Sequence, residues 1–460
     1  MFGGNPLAKT IAAFATNVKG GALGIIRISG ENAVAVGDSV FRCAANGKSL
    51  ANMKGYTAAY GHVFDKSGDI DDGVATVFRA PHSYTGEDAV EFSLHGGEQV
   101  MRQTLRAIFA AGAVQAQPGE FTKRAFLNGK MSLMQAEAVM DVIGASSSAA
   151  LKAANAVKEG AAFQKIQDMK ETLTYCAAQA AAYVDFPEEG LQEMDETGFL
   201  NKLNAVKTQL AALIAGYDNG AVIKSGIECV IVGKPNVGKS TLMNLLAGKE
   251  RSIVTNIAGT TRDIVEETVE VGGILLRLSD TAGLREGGDL VESIGMERAK
   301  EKMKNAQLIL AVFDAGEQPD DADISLLDTV PDTPKIIILN KTDLGCKVDA
   351  SPFEKYGTVI KMSAATGEGA KDLQQAISKT AGLWKLDPDA VGIANERQLV
   401  AAKAALCALE DAIDAYTAGQ MLDAVGILLD ESIASLLELT GERVSDAVVD
   451  QVFANFCVGK

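Results

Sequence analysis

Apolar residues recur along this 460-residue chain with two different periods, and the change of period marks its segments. From about Phe121 to Gly220 they fall three and four positions apart. Leu133, Ala136, Val139, Met140 and Ile143 form one such stripe, and Leu200, Leu203, Val206, Leu210, Leu213 and Ile214 another. That spacing predicts amphipathic helices. Glu396 to Phe456 reads the same way, through Leu399, Ala402, Leu406, Leu409 and Ile413, then Ile427, Leu428, Ile433, Leu436 and Leu437. Between these stretches, from about Ile223 to Ala381, short β-branched runs alternate with helical ones. Glu228–Val232, Ile274–Leu278, Lys335–Leu339 and Thr358–Met362 read as strands, and Thr241–Leu246 opens a helix. Near the start, Leu23–Ile28, Gly73–Phe78 and Ala89–Leu94 read as strands between glycine turns, and Gln99–Gly112 as a helix.

Neither helical stretch looks able to bury its apolar stripe alone. The expectation is one all-α domain with an α/β domain inserted in its middle, preceded by a small α+β domain. The expected boundaries are 1–120, 121–221, 222–384 and 385–460. Two independent helical domains are the alternative, disfavoured because the linkers are short and lack Pro/Ser-rich spacers.

The inserted segment carries four motifs in order. Gly233-Lys234-Pro235-Asn236-Val237-Gly238-Lys239-Ser240 follows a strand and precedes a helix. In that setting backbone amides converge on phosphates at the positive end of a helix. Asn236, Val237, Gly238, Lys239, Ser240 and Thr241 are the expected phosphate contacts, with Lys239 on the β/γ-phosphates and Ser240 on Mg²⁺. Gly259-Thr260-Thr261-Arg262-Asp263 is the second motif, preceded by carbonyl-rich Thr255-Asn256-Ile257-Ala258. Asp280-Thr281-Ala282-Gly283 is the third; Asp280 is placed to hold Mg²⁺ through water, and the Gly283 amide to face the γ-phosphate. In the fourth, Asn340-Lys341-Thr342-Asp343, a carboxylate accepts both the N1 proton and the exocyclic amine of guanine, a pair adenine does not offer. Losing such a match costs roughly 1–3 kcal/mol per contact. Ser363-Ala364 follows a further strand and would close the base pocket with backbone amides. The segment is read as a P-loop GTPase domain that binds GTP with Mg²⁺.

Leu284 follows the third motif where a Ras-like switch has a water-orienting glutamine. Another residue must then place the water, and the acidic stretch Arg285–Glu292 offers several carboxylates. No arginine finger is identifiable, and a monovalent cation could supply that charge. Asn236 and Thr255–Gly259 are its plausible ligands, with loop shaping the alternative role for Asn236.

Composition narrows the rest. Six scattered cysteines without a CxxC pair exclude a disulfide framework or a zinc site and fit a reducing cytoplasm. Thr10–Ala15 is faintly leader-like, yet short and followed by polar residues, so no signal peptide is expected. A net charge of −17 argues against a general RNA-binding protein; Lys123-Arg124…Lys130 is one modest basic patch. The polar turn Ser83–Asp88 is read as capping.

Several segments outside the four motifs resemble one family, the tRNA-modification GTPase MnmE, also called TrmE. They are Ser83-Tyr84-Thr85-Gly86-Glu87-Asp88, His95-Gly96-Gly97, Pro118–Lys130, Gln135-Ala136-Glu137-Ala138, Asp185-Phe186-Pro187-Glu188-Glu189 and the terminal Phe456-Cys457-Val458-Gly459-Lys460. The resemblance covers essentially the whole chain. It departs at Thr16-Asn17-Val18-Lys19, where the family usually has a Pro/Gly-rich stretch. It implies a cytoplasmic homodimer joined through N-terminal domains. With the FAD-containing partner MnmG it would modify carbon 5 of the wobble uridine of certain tRNAs, adding an aminomethyl-type group. The one-carbon unit would come from 5,10-methylenetetrahydrofolate, with 5-formyltetrahydrofolate as an analogue. By the same resemblance Arg27, Glu91, Lys130 and Lys460 bind the folate. K⁺ falls to Asn236, Thr255, Ile257 and Thr260, Mg²⁺ to Ser240 and Thr261, and Glu292 orients water through another water. Cys457 is either a catalytic thiol or a small buried residue. A ribosome-assembly GTPase would normally add a basic RNA-binding domain, which is not found. A folate-binding scaffold with a vestigial switch conflicts with intact Lys239, Ser240, Asp280 and Asp343.

Overall fold

The structure is a computed structural model that describes residues 9–17, 21–185, 195–249, 266–280, 306–328, 333–382 and 392–460. Internal contacts divide the chain into two compact units, Met1–Met140 with Leu436–Lys460, and Asp141–Ser435.

The first unit is built on a seven-stranded sheet: β1 Ile11–Phe14, β2 Leu23–Ser29, β3 Phe41–Cys43, β4 Thr57–Asp65, β5 Gly68–Phe78, β6 Ala89–His95 and β7 Val114–Gln115, in the order β3-β4-β5-β6-β2-β1-β7. Every pairing is antiparallel except the short β1–β7 contact. Alternation sorts the side chains by face. In β2 and β6, Ile26 pairs with Phe92 and Ile28 with Val90. All four are buried, in a cluster with Val34 and Val40 of α1 (Ala33–Val40) and Met101, Leu105 and Ile108 of α2 (Glu98–Ala110). Arg27 and Glu91, paired in the same register, have the opposite parity. Four strands exceed the three expected. β4 is rich in small and polar residues that mask its alternation, and the leader-like run Thr10–Ala15 forms interior strand β1, where Ala12 and Ala13 are fully buried.

The end of the chain belongs to this unit. Helix α3 (Glu120–Leu127) packs beside helix Asp446–Ala454, and Leu133 and Ala136 of α4 (Leu133–Gly144) form one buried cluster with Val449, Phe453 and Phe456. Gly119 donates its amide to the Cys457 carbonyl at 3.3 Å, and Phe121 to the Lys460 carbonyl at 3.2 Å. Lys123 pairs with Asp450, and Arg124 is 1% exposed. Of the basic patch read at Lys123-Arg124…Lys130, Lys123 and Arg124 are matched by carboxylates inside the unit, and Lys130 stays exposed.

The second unit contains a six-stranded sheet in the order β13-β12-β11-β8-β10-β9. Its strands are β8 Ile227–Val232, β9 Glu266–Val271, β10 Ile274–Asp280, β11 Leu308–Asp314, β12 Lys335–Asn340 and β13 Thr358–Lys361. All pairings are parallel except β9–β10. Apolar clusters cover both faces, with Cys229, Ile231, Leu310 and Ile338 on one side and Val230, Ile309, Ala311 and Ile337 on the other. Burial on both faces is why these strands read as continuous β-branched runs. Helices α5 (Ser148–Lys158), α6 (Ala161–Asp185) and α7 (Glu196–Ser225) precede β8, and helix Glu396–Thr417 packs on α7. There Lys207 pairs with Glu410 at 3.0 Å, and the Phe199 and Tyr416 rings lie 4.9 Å apart. No described helix is long and apolar enough to cross a membrane.

Candidate functional site

The first motif spans the turn from β8 into α8 (Lys239–Lys249). Asn236 holds φ +64°, a left-handed conformation asparagine tolerates better than most residues, so the loop-shaping role is real. Its side chain makes no hydrogen bond among the described residues, which leaves the amide available to a ligand. Lys239 is buried and donates its ammonium to the carbonyls of Gly233 (3.0 Å) and Lys234 (2.7 Å). Ser240 is exposed at the start of α8. The loop is clamped from outside by Lys234, which reaches Asp320 at 2.5 Å and Asp323 at 2.9 Å. Hydrogen bonds to Asp320, then Asp323, hold that ammonium's pKa above its usual value.

Asn340 joins three loops. It is 2% exposed; its Nδ2 donates to the Val237 carbonyl and its Oδ1 accepts from the Ala364 amide, both at 2.8 Å. The phosphate loop, the fourth motif and the Ser363-Ala364 turn thus share one side chain. Gly238 serves this joint: it holds φ +98°, and a Cβ there would lie 2.3 Å from Asn340 Nδ2. Ser363 is fixed by its amide donating to the Glu368 carbonyl at 3.1 Å. Asp343 is exposed and has no partner among the described residues. Lys341, with φ +66°, donates to Asp314 at the end of β11 at 2.7 Å, and this bond holds the Asp314 carboxyl below its ordinary value.

Asp280 ends β10 in register with Ile231 of β8. Thr255, Asn256, Ile257, Ala258, Gly259, Thr260, Thr261, Thr281, Ala282, Gly283 and Glu292 lie outside the described residues.

A second candidate site sits on the seven-stranded sheet. Arg27 Nε donates to Glu91 Oε1 at 2.7 Å, with 18% and 24% of their side chains exposed. The Arg27 guanidinium lies over the rings of Tyr84 (5.4 Å) and Phe121 (5.6 Å). Tyr84 shares a 2.9 Å hydrogen bond with Thr122, and burial raises its phenol pKa. Because the Phe121 amide also holds the Lys460 carbonyl, the last residue is brought beside Arg27's neighbours within one chain. Lys130 donates to the Pro81 carbonyl at 3.0 Å, and its stem flanks Gly86. Cys457 is exposed, so it is not the small buried residue weighed above.

The family model described as "GTP-binding protein TrmE N-terminus" matches residues 10–130, and that described as "MnmE helical domain" matches residues 133–457. "tRNA modification GTPase MnmE" of Bacillus subtilis is 37% identical over 98% of this chain and 100% of its own length. The proteins of the same name from Lachnoclostridium phytofermentans and Geobacillus kaustophilus are each 39% identical over 98% of this chain and 99% of theirs. The chain belongs to the MnmE family.

Within this MnmE-family chain, sequence reasoning missed the supports of both sites. Asp320 and Asp323 hold Lys234, and Asp314 holds Lys341, from other elements, and only their place at or after the end of apolar strand β11 could have flagged them. The Ser83–Asp88 turn is more than a cap. Ser83 donates to the Glu87 carbonyl, and Glu87 receives Ser29 at 2.8 Å and Arg124 at 3.1 Å. Arg124 also reaches Glu120 at 2.8 Å and the Lys9 carbonyl at 2.9 Å, while Asn128 holds the Thr85 carbonyl at 2.7 Å. These bonds fix the turn that carries Tyr84.

Proposed function

We propose that this chain, whose MnmE-family relatives are named as tRNA modification GTPases, is a GTPase of tRNA modification that potassium activates. In this reading an N-terminal α+β domain (1–120) precedes an all-α domain (121–221 and 385–460) that holds an inserted GTPase domain (222–384). The observation that carries it is the Asn340 joint, which gathers the phosphate loop, the guanine-reading motif and the Ser363-Ala364 turn around one buried amide. Asp343 reads the base, Lys239 meets the β/γ-phosphates, and Ser240 with Thr261 holds Mg²⁺. Asn236 fits a K⁺ ligand because its side-chain oxygen is uncommitted; Thr255, Ile257 and Thr260 complete the set. When bound, K⁺ would supply the charge of the missing arginine finger as two GTPase domains pair, and Glu292 would orient the attacking water through a second water.

The reading extends to the wobble uridine. Acting as a homodimer with the FAD protein MnmG in the cytoplasm, the chain serves the addition of an aminomethyl-type group at carbon 5. A tetrahydrofolate supplies the one-carbon unit when bound. The residues present fit it: Glu91 is a carboxylate already oriented by Arg27, whose guanidinium lies over two aromatic rings, and it is suited to an amidine-like pterin edge. Lys130 and Lys460 would take folate carboxylates, with Cys457 close by in sequence as a candidate thiol.

Analysis of nucleosides in tRNA from cells lacking the protein is the test. The modified wobble uridine should be absent, and the full chain should restore it while a chain lacking Cys457–Lys460 should not. Unchanged tRNA in the deletion strain overturns the reading. For the cation, turnover should be higher in K⁺ than in Na⁺ at equal ionic strength, and equal rates would remove potassium from the reading.

A further inference from the structure

We propose that the β9–β10 hairpin carries the nucleotide state of the GTP site to the helical segment, through a joint between its turn and the first residues of helix α5. This rests on the reading that the chain alternates between GDP- and GTP-bound forms. By sequence the hairpin joins the Gly259–Asp263 motif to the Asp280–Gly283 motif, the two that would sense the γ-phosphate. A displacement at either end therefore pulls on the hairpin.

The hairpin is stiff enough to transmit such a pull. β9 and β10 pair without a slip from Glu266↔Ser279 to Val271↔Ile274, and β10 also pairs with β8. Its turn is Gly272-Gly273, with φ +61° and +83°, the two-residue form whose twist matches the strands.

The far end is bonded to α5. The first amides of a helix have no partner within it, and here the hairpin supplies acceptors. Gly273's carbonyl accepts from the Ala149 amide at 3.0 Å. Glu270 Oε1 accepts from both the Ser148 amide (3.2 Å) and the Ser148 hydroxyl (2.5 Å). Ser147 caps the same end by accepting from the Ala150 amide at 3.2 Å. A carboxylate at a helix N-terminus is also favoured by the helix dipole. Behind these bonds Ala150 and Ala153 share one buried cluster with Val271, Ile274 and Leu276. Ala149 and Ser148 cannot both keep their acceptors if the hairpin slides by a residue. Among the described residues the joint has no ion pair, so it can open and close at modest cost.

The test is amide hydrogen exchange across Ser148–Lys158 in the full chain, with GDP and with GDP plus aluminium fluoride. In the natural protein the α5 amides should differ by roughly fivefold or more between the two states, the weight of about one hydrogen bond. Glu270→Ala should abolish that difference while leaving affinity for a fluorescent GDP within about threefold, and Glu270→Gln, which keeps the acceptor oxygen, should restore it. Gly273→Ala is an independent second variant, since its Cβ would meet Ser148 Oγ at 3.2 Å and sit at φ +83°. Equal exchange in both states, or a full difference retained in Glu270→Ala and Gly273→Ala, overturns the proposal alone. Loss of GDP affinity in Glu270→Ala also overturns it, by making the hairpin part of the nucleotide site. A natural protein that binds no guanine nucleotide overturns both this and the function it rests on.

Discussion

Asn340 and Arg124 hold the two candidate sites together, one with a neutral amide and the other with a buried charge. Asn340 joins three loops at the carboxyl ends of parallel strands through one donor and one acceptor. Arg124 joins the Ser83–Asp88 turn, α3 and the start of the chain through two carboxylates and a carbonyl. An amide in that position leaves its partners short of one hydrogen bond each when it is lost. A guanidinium at 1% exposure leaves two carboxylates without their cation. The nucleotide site is thus held by bonds of limited individual cost, while the sheet site adds to its neutral bonds one buried charge whose removal is costly.

Three substitutions sharpen or break that contrast. Arg124→Met should have the largest effect, about 3–5 kcal/mol in the urea unfolding of the unit that contains it, since Glu87 and Glu120 lose their partner. Binding of fluorescent GDP to the same protein should be unchanged. A loss under about 1 kcal/mol would mean that the turn is held by its neutral bonds and that the contrast is wrong.

Asn340→Ala should come next. It strands the Val237 carbonyl and the Ala364 amide, each costing about 1–3 kcal/mol when buried without a partner. GDP affinity should fall by at least tenfold, measured by fluorescence titration, with the first unit's unfolding unaffected. Unaltered affinity would show that strand pairing alone positions the three loops.

Asp314→Asn should have the smallest effect, a loss of GDP affinity of a few-fold as Lys341 loses its charged acceptor. Its pH dependence has a definite sign. The Lys341 bond depresses the folded-state pKa of Asp314, so its contribution is fully present above the ordinary carboxylate value of about 4 and is lost as pH falls through the lower folded value. The stability difference between the natural protein and Asp314→Asn should be flat from pH 7 to about 5 and shrink only below about 4. A difference that changes near neutral pH would assign the effect to another group.

The same contrast explains what could be read in advance. In a parallel α/β sheet each functional loop is a contiguous run at the end of its own strand, so the strand–loop–helix setting of Lys239 and the positions of Asn340 and Asp343 were legible residue by residue. The chemistry of Asn340 was not, because its partners Val237 and Ala364 are distant in sequence and backbone atoms carry no side-chain signature. The antiparallel site was harder still. Arg27 and Glu91 come together through β2–β6 register, and Tyr84, Phe121 and Lys460 through the turn, α3 and the end of the chain. Only resemblance to a family nominated Arg27, Glu91 and Lys460 as site residues; Tyr84, Phe121 and Arg124 lay within its matching segments without a role.

Local order along the chain determined four of the six strands of the second unit's sheet, β9 and β11 going unread, together with the helical stripes and the four nucleotide motifs, since period and turn chemistry act over a few residues. Tertiary structure decided what Ser83–Asp88 is for, where the charges of Lys123 and Arg124 go, and that the final residues complete the first unit. Those outcomes depend on which distant groups can satisfy a buried charge or an orphan amide. Burial makes such pairing obligatory, and the linear sequence leaves the partner unnamed.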